Sequence, residues 1–406
     1  MTDQLRLYDT LSGGRRDFEP SGPEVKIYVC GVTPYDTTHL GHAFTYVSFD
    51  VLIRYLRYLG HRVRYVQNVT DVDDPLFAKA RQLGISHWDL AAEQTERYLA
   101  DMRALNVLPA EVYPRASGEI AEMIEVVASL ISMGHAYAID GYVYFSIATD
   151  PGYGRLSKYD RSQMIEIARE RGGDPDDPRR RDPLDFLLWR PAKDDEPRWP
   201  SPWGDGLPGW HLECSAMALK YLGAPLDIHG GGGDLVFPHH ESEIAQTEGA
   251  TGRRPFSRYW MHSAMVCLGG QKMSKSLGNM VFARDLITAH GANALRLYIS
   301  SCHYRTELHY DGAELDRAAD LARNLATAAT LPTDSNVLGT DVRGFRERFV
   351  ARMNDDLDTP GAIGVIHGLA DVIRADRADG RNVEAAQALL AEIGGVIGLR
   401  LRPDAS

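Results

Sequence analysis

Residues 25–70, VKIYVCGVTPYDTTHLGHAFTYVSFDVLIRYLRYLGHRVRYVQNVT, decide the fold. Residues 25–30 are short, apolar and β-branched, and they end at Gly31, which predicts a buried strand. From Ala43 to Leu59 apolar residues recur at helical spacing, and Gly60 supplies a stop. Residues 62–70 read as a second strand. Strand, turn, helix and strand in that order predict an α/β fold with a parallel, doubly wound sheet.

Outward from this unit, helical patterns follow near 88–105 and 117–133. Residues 137–147, YAIDGYVYFSI, predict a hairpin turning at Asp140-Gly141. Residues 150–209 are rich in Pro, Gly, Arg and Asp and read as an insertion with long loops over a site. The sheet resumes at 226–234 and 259–268. From about 281 the pattern is helical, with a polar break at 331–342. The expected division is 1–110 and 210–280 as two halves of a catalytic domain, 111–209 as an inserted subdomain, and 281–406 as a helical bundle.

The chain has 406 residues, 44% hydrophobic and 25% charged, as in ordinary globular proteins. A net charge of −12 argues against a broad nucleic-acid footprint, though a local basic groove fits within it. No window approaches eighteen apolar residues and no signal peptide is read, so no membrane is expected. Four cysteines are too few for a disulfide scaffold, which predicts a reducing cytoplasm.

Two motifs carry chemistry. HLGH, residues 39–42, follows a strand and opens a helix. A helix N-terminus favours anions, and His39 and His42 share one face of it. Gly41 between them lets a flat ring or a backbone come close. ATP satisfies these features, as capping or packing histidines also would. KMSKS, residues 272–276, sets Lys272 and Lys275 in a segment flanked by Gly269, Gly270 and Gly278. Two ammoniums on a loop could close over a triphosphate and stabilise a leaving pyrophosphate. A solvated turn is the bland alternative. HGGGGD, residues 229–234, offers glycine-rich backbone suited to a nucleotide's ribose and base. In this order and spacing the motifs resemble those of the class I aminoacyl-tRNA synthetases.

A metal-like set stands beside them. Cys30 ends the first strand, Cys214 lies in GWHLECSAM, and His239 and Glu243 are four apart in FPHHESEIA. Thiolates, an imidazole and a carboxylate make a zinc set, although the spacing is not that of a finger and a buried cysteine often only fills space. His240 and Glu241 either orient the ligands or pack as polar groups. Cys267 and Cys302 read as ordinary thiols.

YVCGVTPYD, NVTDVDD, PSPWGDGLPGWHLECSAM, DIHGGGGDLVFPHHESEIAQ and KMSKSLGN resemble the cysteinyl-tRNA synthetases and their relatives, the mycothiol cysteine ligases. The resemblance runs over about 5–400. It implies a Zn²⁺ ion holding the substrate cysteine as thiolate through Cys30, Cys214 and His239. Glu243 matches a fourth ligand of the synthetases. It implies that the cysteinyl part meets Cys30, Gly31, Val32, Thr33 and Thr45. Asn68, Val69, Thr70 and Trp210 would join them, Trp210 walling the pocket; alone, Trp210 reads as a packing aromatic. The nucleotide would meet Gly41, Gly232, Gly233, Asp234 and Val266. The substrates implied are L-cysteine and ATP with Mg²⁺, and His39, His42, Lys272 and Lys275 would carry the adenylation. A metal suits this selection. Serine differs by one atom, each tenfold of selectivity needs ~1.4 kcal/mol, and sulfur on zinc supplies several such steps.

The two relatives part at the acceptor. The Pro-Tyr-Asp and aromatic ends of GVTPYDTTHLGHAFTY, Pro75, the ERGGDP of 170–175, and a stop 130 residues after Ser276 favour the mycothiol ligase. Glu243, KMSKSLGN and ESEIAQ favour the synthetase. The expectation is therefore a monomeric cysteine:glucosaminyl-inositol ligase of mycothiol biosynthesis, its sugar pocket built by 150–209. Arg171 and Asp174 would contact the sugar or order that loop. A short cysteinyl-tRNA synthetase that binds tRNA is the alternative, and a catalytically silent binding protein is a third.

Overall fold

The computed structural model describes residues 4–36, 38–273 and 280–401. Its elements in chain order begin with a hairpin, β1 (Arg6–Asp9) and β2 (Gly14–Asp17). Then come β3 (Glu24–Val32), α1 (Leu40–Tyr58), β4 (Arg62–Val69), α2 (Asp74–Leu83), α3 (His87–Ala104) and α4 (Ile120–Ser132). The inserted part holds β5 (Ala136–Ile139), β6 (Tyr142–Phe145), α5 (Arg161–Glu170), β7 (Phe186–Pro191) and β8 (Gly206–Pro208). After it run α6 (Trp210–Leu222), β9 (Leu226–Gly232), α7 (Glu241–Thr251), β10 (Ser257–Ser263), β11 (Val266–Leu268) and β12 (Gln271–Lys272). The remainder is α8 (Ala283–His290), α9 (Ala292–Ser300), β13 (Leu308–His309), α10 (Gly312–Ala329), α11 (Arg343–Asn354), α12 (Thr359–Ala378) and α13 (Glu384–Val396).

The central sheet has the order β10-β9-β3-β4, and every pairing in it is parallel. The fold is thus the expected doubly wound α/β sheet, with an antiparallel insertion and C-terminal helices. Both faces are covered, as a parallel sheet requires. Alternation along β3 sends Ile27 and Val29 into the core packed with α1, and Tyr28 and Cys30 into the core packed with α6. The order in which strands are added to the sheet reverses between β3 and β9, which opens a crevice at their carboxyl ends. Gly31 closes the seam there: a Cβ on it would lie 1.6 Å from the Asn68 carbonyl oxygen.

The insertion is a meander, β5-β6-β7-β8. Its first turn is at Asp140 (φ 49°) and Gly141 (φ 82°), the left-handed pair of a two-residue hairpin. No helix among the described residues is long and apolar enough to cross a membrane.

One buried ion pair fastens the C-terminal helices to the sheet. Arg296 of α9 and Asp50 of α1 are both inaccessible, and the guanidinium bonds the Asp50 carboxylate. It also donates to the Leu105 and Ile397 carbonyls at 2.8 and 2.9 Å. Asp50 further accepts from Arg54 and from the Leu108 amide, each at 2.8 Å. Asp50→Ala strands a buried cation, so unfolding free energy should fall by about 3–5 kcal/mol. Urea denaturation checks this, and an unchanged midpoint would show the pair to be dispensable.

Candidate active site

The crevice is a cleft of about 1110 Å³. On one wall stands the N-terminus of α1. His39 is its N-cap, with extended backbone, and its Nδ1 accepts from the His42 amide at 3.3 Å. The two imidazoles stack with centroids 3.7 Å apart, which fixes both rings at the helix mouth. A Cβ on Gly41 would lie 2.9 Å from the His39 ring, so only glycine lets the ring fold over the first turn. Gly232, Asp234 and Val266 line the opposite wall, at the ends of β9 and the start of β11. Thr45 of α1 bonds Ser263 of β10 at 2.8 Å, tying the walls together.

At the end of β3 lies a buried cluster of sulfur, imidazole and carboxylate. The donor atoms of Cys30, Cys214, His239 and Glu243 all lie within 4.8 Å of one another, and all four residues are buried. The fold brings them there by separate routes. Strand alternation turns Cys30 onto α6, where Cys214 meets it at 3.7 Å. His239 and Glu243, four apart, share a face at the start of α7. A second set, Cys30, His229, His240 and Glu243, satisfies the same spacing.

Histidines surround both sets. His239 Nδ1 pairs with His211 Nδ1 at 3.0 Å, which directs Nε2 towards Glu243. His240 Nε2 lies 3.2 Å from the Cys30 sulfur while its Nδ1 pairs with His262 at 2.7 Å, and His262 reaches Thr10 at 2.8 Å. His229 Nε2 is 3.1 Å from Glu243. Such outer contacts fix ring orientation in metal sites.

Burial sets the charge state. It pushes the Cys30 thiol up, with the Cys214 thiol adding to the effect. It pushes Glu243 well above the usual carboxylate range, and drives His229, His211 and His262 down to about 3. Among the described residues neither Glu243 oxygen has a hydrogen-bond partner, and His229 Nδ1 has none. Orphaned oxygens, two thiols and neutral imidazoles in one buried spot are the donor set that fits a thiophilic divalent cation.

The other expected residues fall around this core. Gly31, Val32, Thr33 and Trp210 line the cleft, and Trp210 tilts against His239 with ring centroids 4.4 Å apart. Gly31 donates its amide to Asn68 Oδ1 at 2.7 Å, and Asn68 donates to Thr70 at 3.0 Å, so both polar groups are spent beneath the floor. Val69 is buried at the end of β4. Gly233 opens a short 3-10 turn after β9. The Lys272 backbone pairs with Cys267 in the β11–β12 hairpin, and Lys275 lies outside the described residues. Cys267 is buried and Cys302 half-buried.

Glu241 does not orient the cluster; it accepts from the Leu156 and Ser157 amides and anchors the inserted loop. The residues ERGGDP close α5, and Glu170, Arg171, Gly172 and Gly173 line the cleft. Arg171 is its C-cap and reaches Asp234 at 3.6 Å. Asp174 accepts from the Asp176 amide and orders the loop. Sequence reading passed over His211, His229 and His262. Period-two alternation carried the signal for two of them: in register, Tyr28 pairs with His229, which places His229 on the Cys30 face, and Trp260 pairs with His229 in turn.

Comparison with known proteins settles the family. Residues 18–320 match the family model described as tRNA synthetases class I (C) catalytic domain, and residues 348–402 match a DALR domain. The chain is 44% identical over 400 residues to a cysteine–tRNA ligase of Dehalococcoides mccartyi, covering 98% of this chain and 86% of the relative. It is 45% identical over 403 residues to a cysteine–tRNA ligase of Alkalilimnicola ehrlichii, covering 97% and 85%. In fold it is similar to Mycobacterium tuberculosis methionyl-tRNA synthetase in complex with methionyl-adenylate. The TM-score is 0.65, at 17% identity, over 93% of this chain and 89% of that one.

These matches correct the expected acceptor. The mycothiol cysteine ligase assignment, its glucosaminyl-inositol partner, and tRNA as a mere alternative are overturned by near-full-length identity to cysteine–tRNA ligases and by the DALR match. The physical reason lies in the features that were weighed. ERGGDP closes the last turn of α5 and lies at the cleft beside Asp234, and its likeness to a sugar-amine ligase motif does not outweigh these matches. The point at which the sequence stops carries no weight against helices at 348–402 that match a DALR domain.

Proposed function

We infer the reaction from a premise now in place: the chain belongs to the class I cysteinyl-tRNA synthetase family, and it is an ATP-dependent cysteine ligase. It activates L-cysteine as cysteinyl-adenylate and transfers it to the terminal ribose of tRNA(Cys). The observation that carries this reading is the buried set Cys30, Cys214, His239 and Glu243, of which Cys30 lines the same crevice as His39 and His42 of the α1 N-terminus. A thiophilic site beside an anion site is what an enzyme joining cysteine to a nucleotide needs.

Cys30, Cys214, His239 and Glu243 would hold Zn²⁺, with His211 orienting His239. Zinc, when bound, supplies a Lewis acid that prefers a thiolate to a hydroxyl. Trp210 walls the amino-acid pocket, and Gly31 to Thr33 line its floor. The α1 N-terminus, His39 and His42 bind ATP phosphates, and Gly41 admits them. Gly232, Gly233, Asp234 and Val266 take the ribose and base. The cysteine carboxylate oxygen attacks the α-phosphorus, the bond to the β-phosphate oxygen breaks, and pyrophosphate leaves with Mg²⁺. Lys272 and Lys275 stabilise its charge. A ribose hydroxyl then attacks the adenylate carbonyl, the hydroxyl proton is lost, and AMP leaves.

The reading is tested by incubating the protein with ATP, radiolabelled L-cysteine and tRNA(Cys). Label should become acid-precipitable and be lost when the tRNA's terminal ribose is first oxidised with periodate. Cysteine-dependent exchange of pyrophosphate into ATP without labelled tRNA would refute the acceptor.

A further inference from the structure

The second set of donors, Cys30, His229, His240 and Glu243, is as closely knit as the first, and all four residues are buried. The Cys30 sulfur lies 3.6 Å from His229 Nε2 and 3.2 Å from His240 Nε2. Glu243 Oε2 lies 3.1 Å from His229 Nε2 and 3.7 Å from His240 Nε2. Zinc bonds of about 2.0–2.3 Å put the corners of a tetrahedron about 3.3–3.8 Å apart. The four separations fall within about 0.2 Å of that range, which is the tolerance a metal site allows.

The rings are already turned to this spot. His240 Nδ1 pairs with His262 Nε2 at 2.7 Å, which leaves Nε2 for the cluster. The same arrangement holds His239 through His211. His229 packs between Tyr28 and Trp260, with ring centroids 5.1 and 4.6 Å away. Both oxygens of Glu243 are orphaned among the described residues, in a side chain with no exposure. Buried polar atoms left in that state call for a partner.

The two sets share Cys30 and Glu243. Cys214 and His239 belong only to one, and His229 and His240 only to the other. Filling the first set therefore leaves two imidazole nitrogens unspent. A carboxylate has an oxygen for each of two ions, and a thiolate has lone pairs for both. As anions, Cys30, Cys214 and Glu243 outweigh one divalent ion, and a substrate thiolate adds a fourth negative charge. Two divalent ions balance the four. We propose that the chain holds a second divalent-cation site at His229 and His240, sharing Cys30 and Glu243 with the first. It takes a thiophilic ion, Zn²⁺ or Co²⁺. Repulsion between the ions and the sharing of both anions make it the weaker site, by about 100-fold. The inference rests on the proposed zinc set for its first ion and goes beyond it for the second.

The test adds Co²⁺ to the full chain already loaded with zinc. Bound metals are counted by mass spectrometry while sulfur-to-cobalt absorption is recorded. One Co²⁺ per chain should join without release of zinc, and absorption should rise because Cys30 meets both ions. His229→Asn and His240→Asn should each keep the zinc, bind Co²⁺ at least about tenfold more weakly, and lose the absorption. Circular dichroism reports whether each variant folds, and either folded variant decides. No bound cobalt at saturation, or cobalt bound without sulfur absorption, would overturn the inference and leave the first set standing. So would absorption that grows only as zinc is released, or cobalt binding unchanged in the variants. Loss of zinc together with cobalt in folded variants would make the histidines part of one site and overturn it as well. If the wild type held no zinc at all, the proposed zinc set would fall and take the inference with it.

Discussion

Replacing Cys214 by serine should abolish cysteine activation, lowering cysteine-dependent pyrophosphate exchange by about 1,000-fold or more. The change swaps one sulfur for oxygen on α6, at a buried site 3.7 Å from the Cys30 sulfur. The protein should fold, because the volume hardly changes. The ligand set loses one of its two thiolates, and metal affinity in such sites rests on deprotonated sulfur donors. Each factor of ten corresponds to ~1.4 kcal/mol, so three factors ask for about 4 kcal/mol, within what a lost metal–sulfur bond supplies. Bound zinc measured by mass spectrometry should fall with activity. Full zinc content with full activity in the variant would shift the weight to the second set, Cys30, His229, His240 and Glu243.

Lys275→Ala should lower the exchange rate about 100- to 1,000-fold while leaving the KM for cysteine near its original value. Removing one preorganised donor to transition-state charge costs about that much. The lysine acts on pyrophosphate as it departs, so the loss belongs to kcat and not to ground-state binding of the amino acid. Lys272→Ala should lower the rate as well, since the second ammonium shares that charge. Gly269 and Gly270, at φ 60° and 78°, form the left-handed turn that leads from β11 into this segment. Presteady-state kinetics separate the terms: adenylate formation should slow, and cysteine binding should not. A raised cysteine KM with unchanged kcat would contradict the assignment.

Much of the fold could be read from periodicity. Residues 25–30 and 62–70 became β3 and β4, and the helical stretch from Ala43 became α1, begun three residues earlier at Leu40 because His39 caps it. The hairpin at Asp140-Gly141 was legible because few residues tolerate two successive left-handed positions. The histidines around the cluster were harder to see. His229 sits in a strand of glycines and His262 in an apolar strand, and their roles depend on which sheet face they share with Cys30. The acceptor was misjudged because short local motifs were weighed above the resemblance of the whole chain, which runs to the cysteine–tRNA ligases. Arg171, in the motif weighed most heavily, meets Asp234 at 3.6 Å beside the cleft.

The account depends on substrate sulfur meeting the metal held by Cys30, Cys214, His239 and Glu243. Cobalt in place of zinc reports this directly, because sulfur-to-cobalt charge transfer absorbs in the near ultraviolet. Adding L-cysteine to the cobalt protein should raise that absorption, and adding L-serine should leave it unchanged. A spectrum that does not respond to saturating cysteine, in protein that still exchanges pyrophosphate, would contradict the central claim.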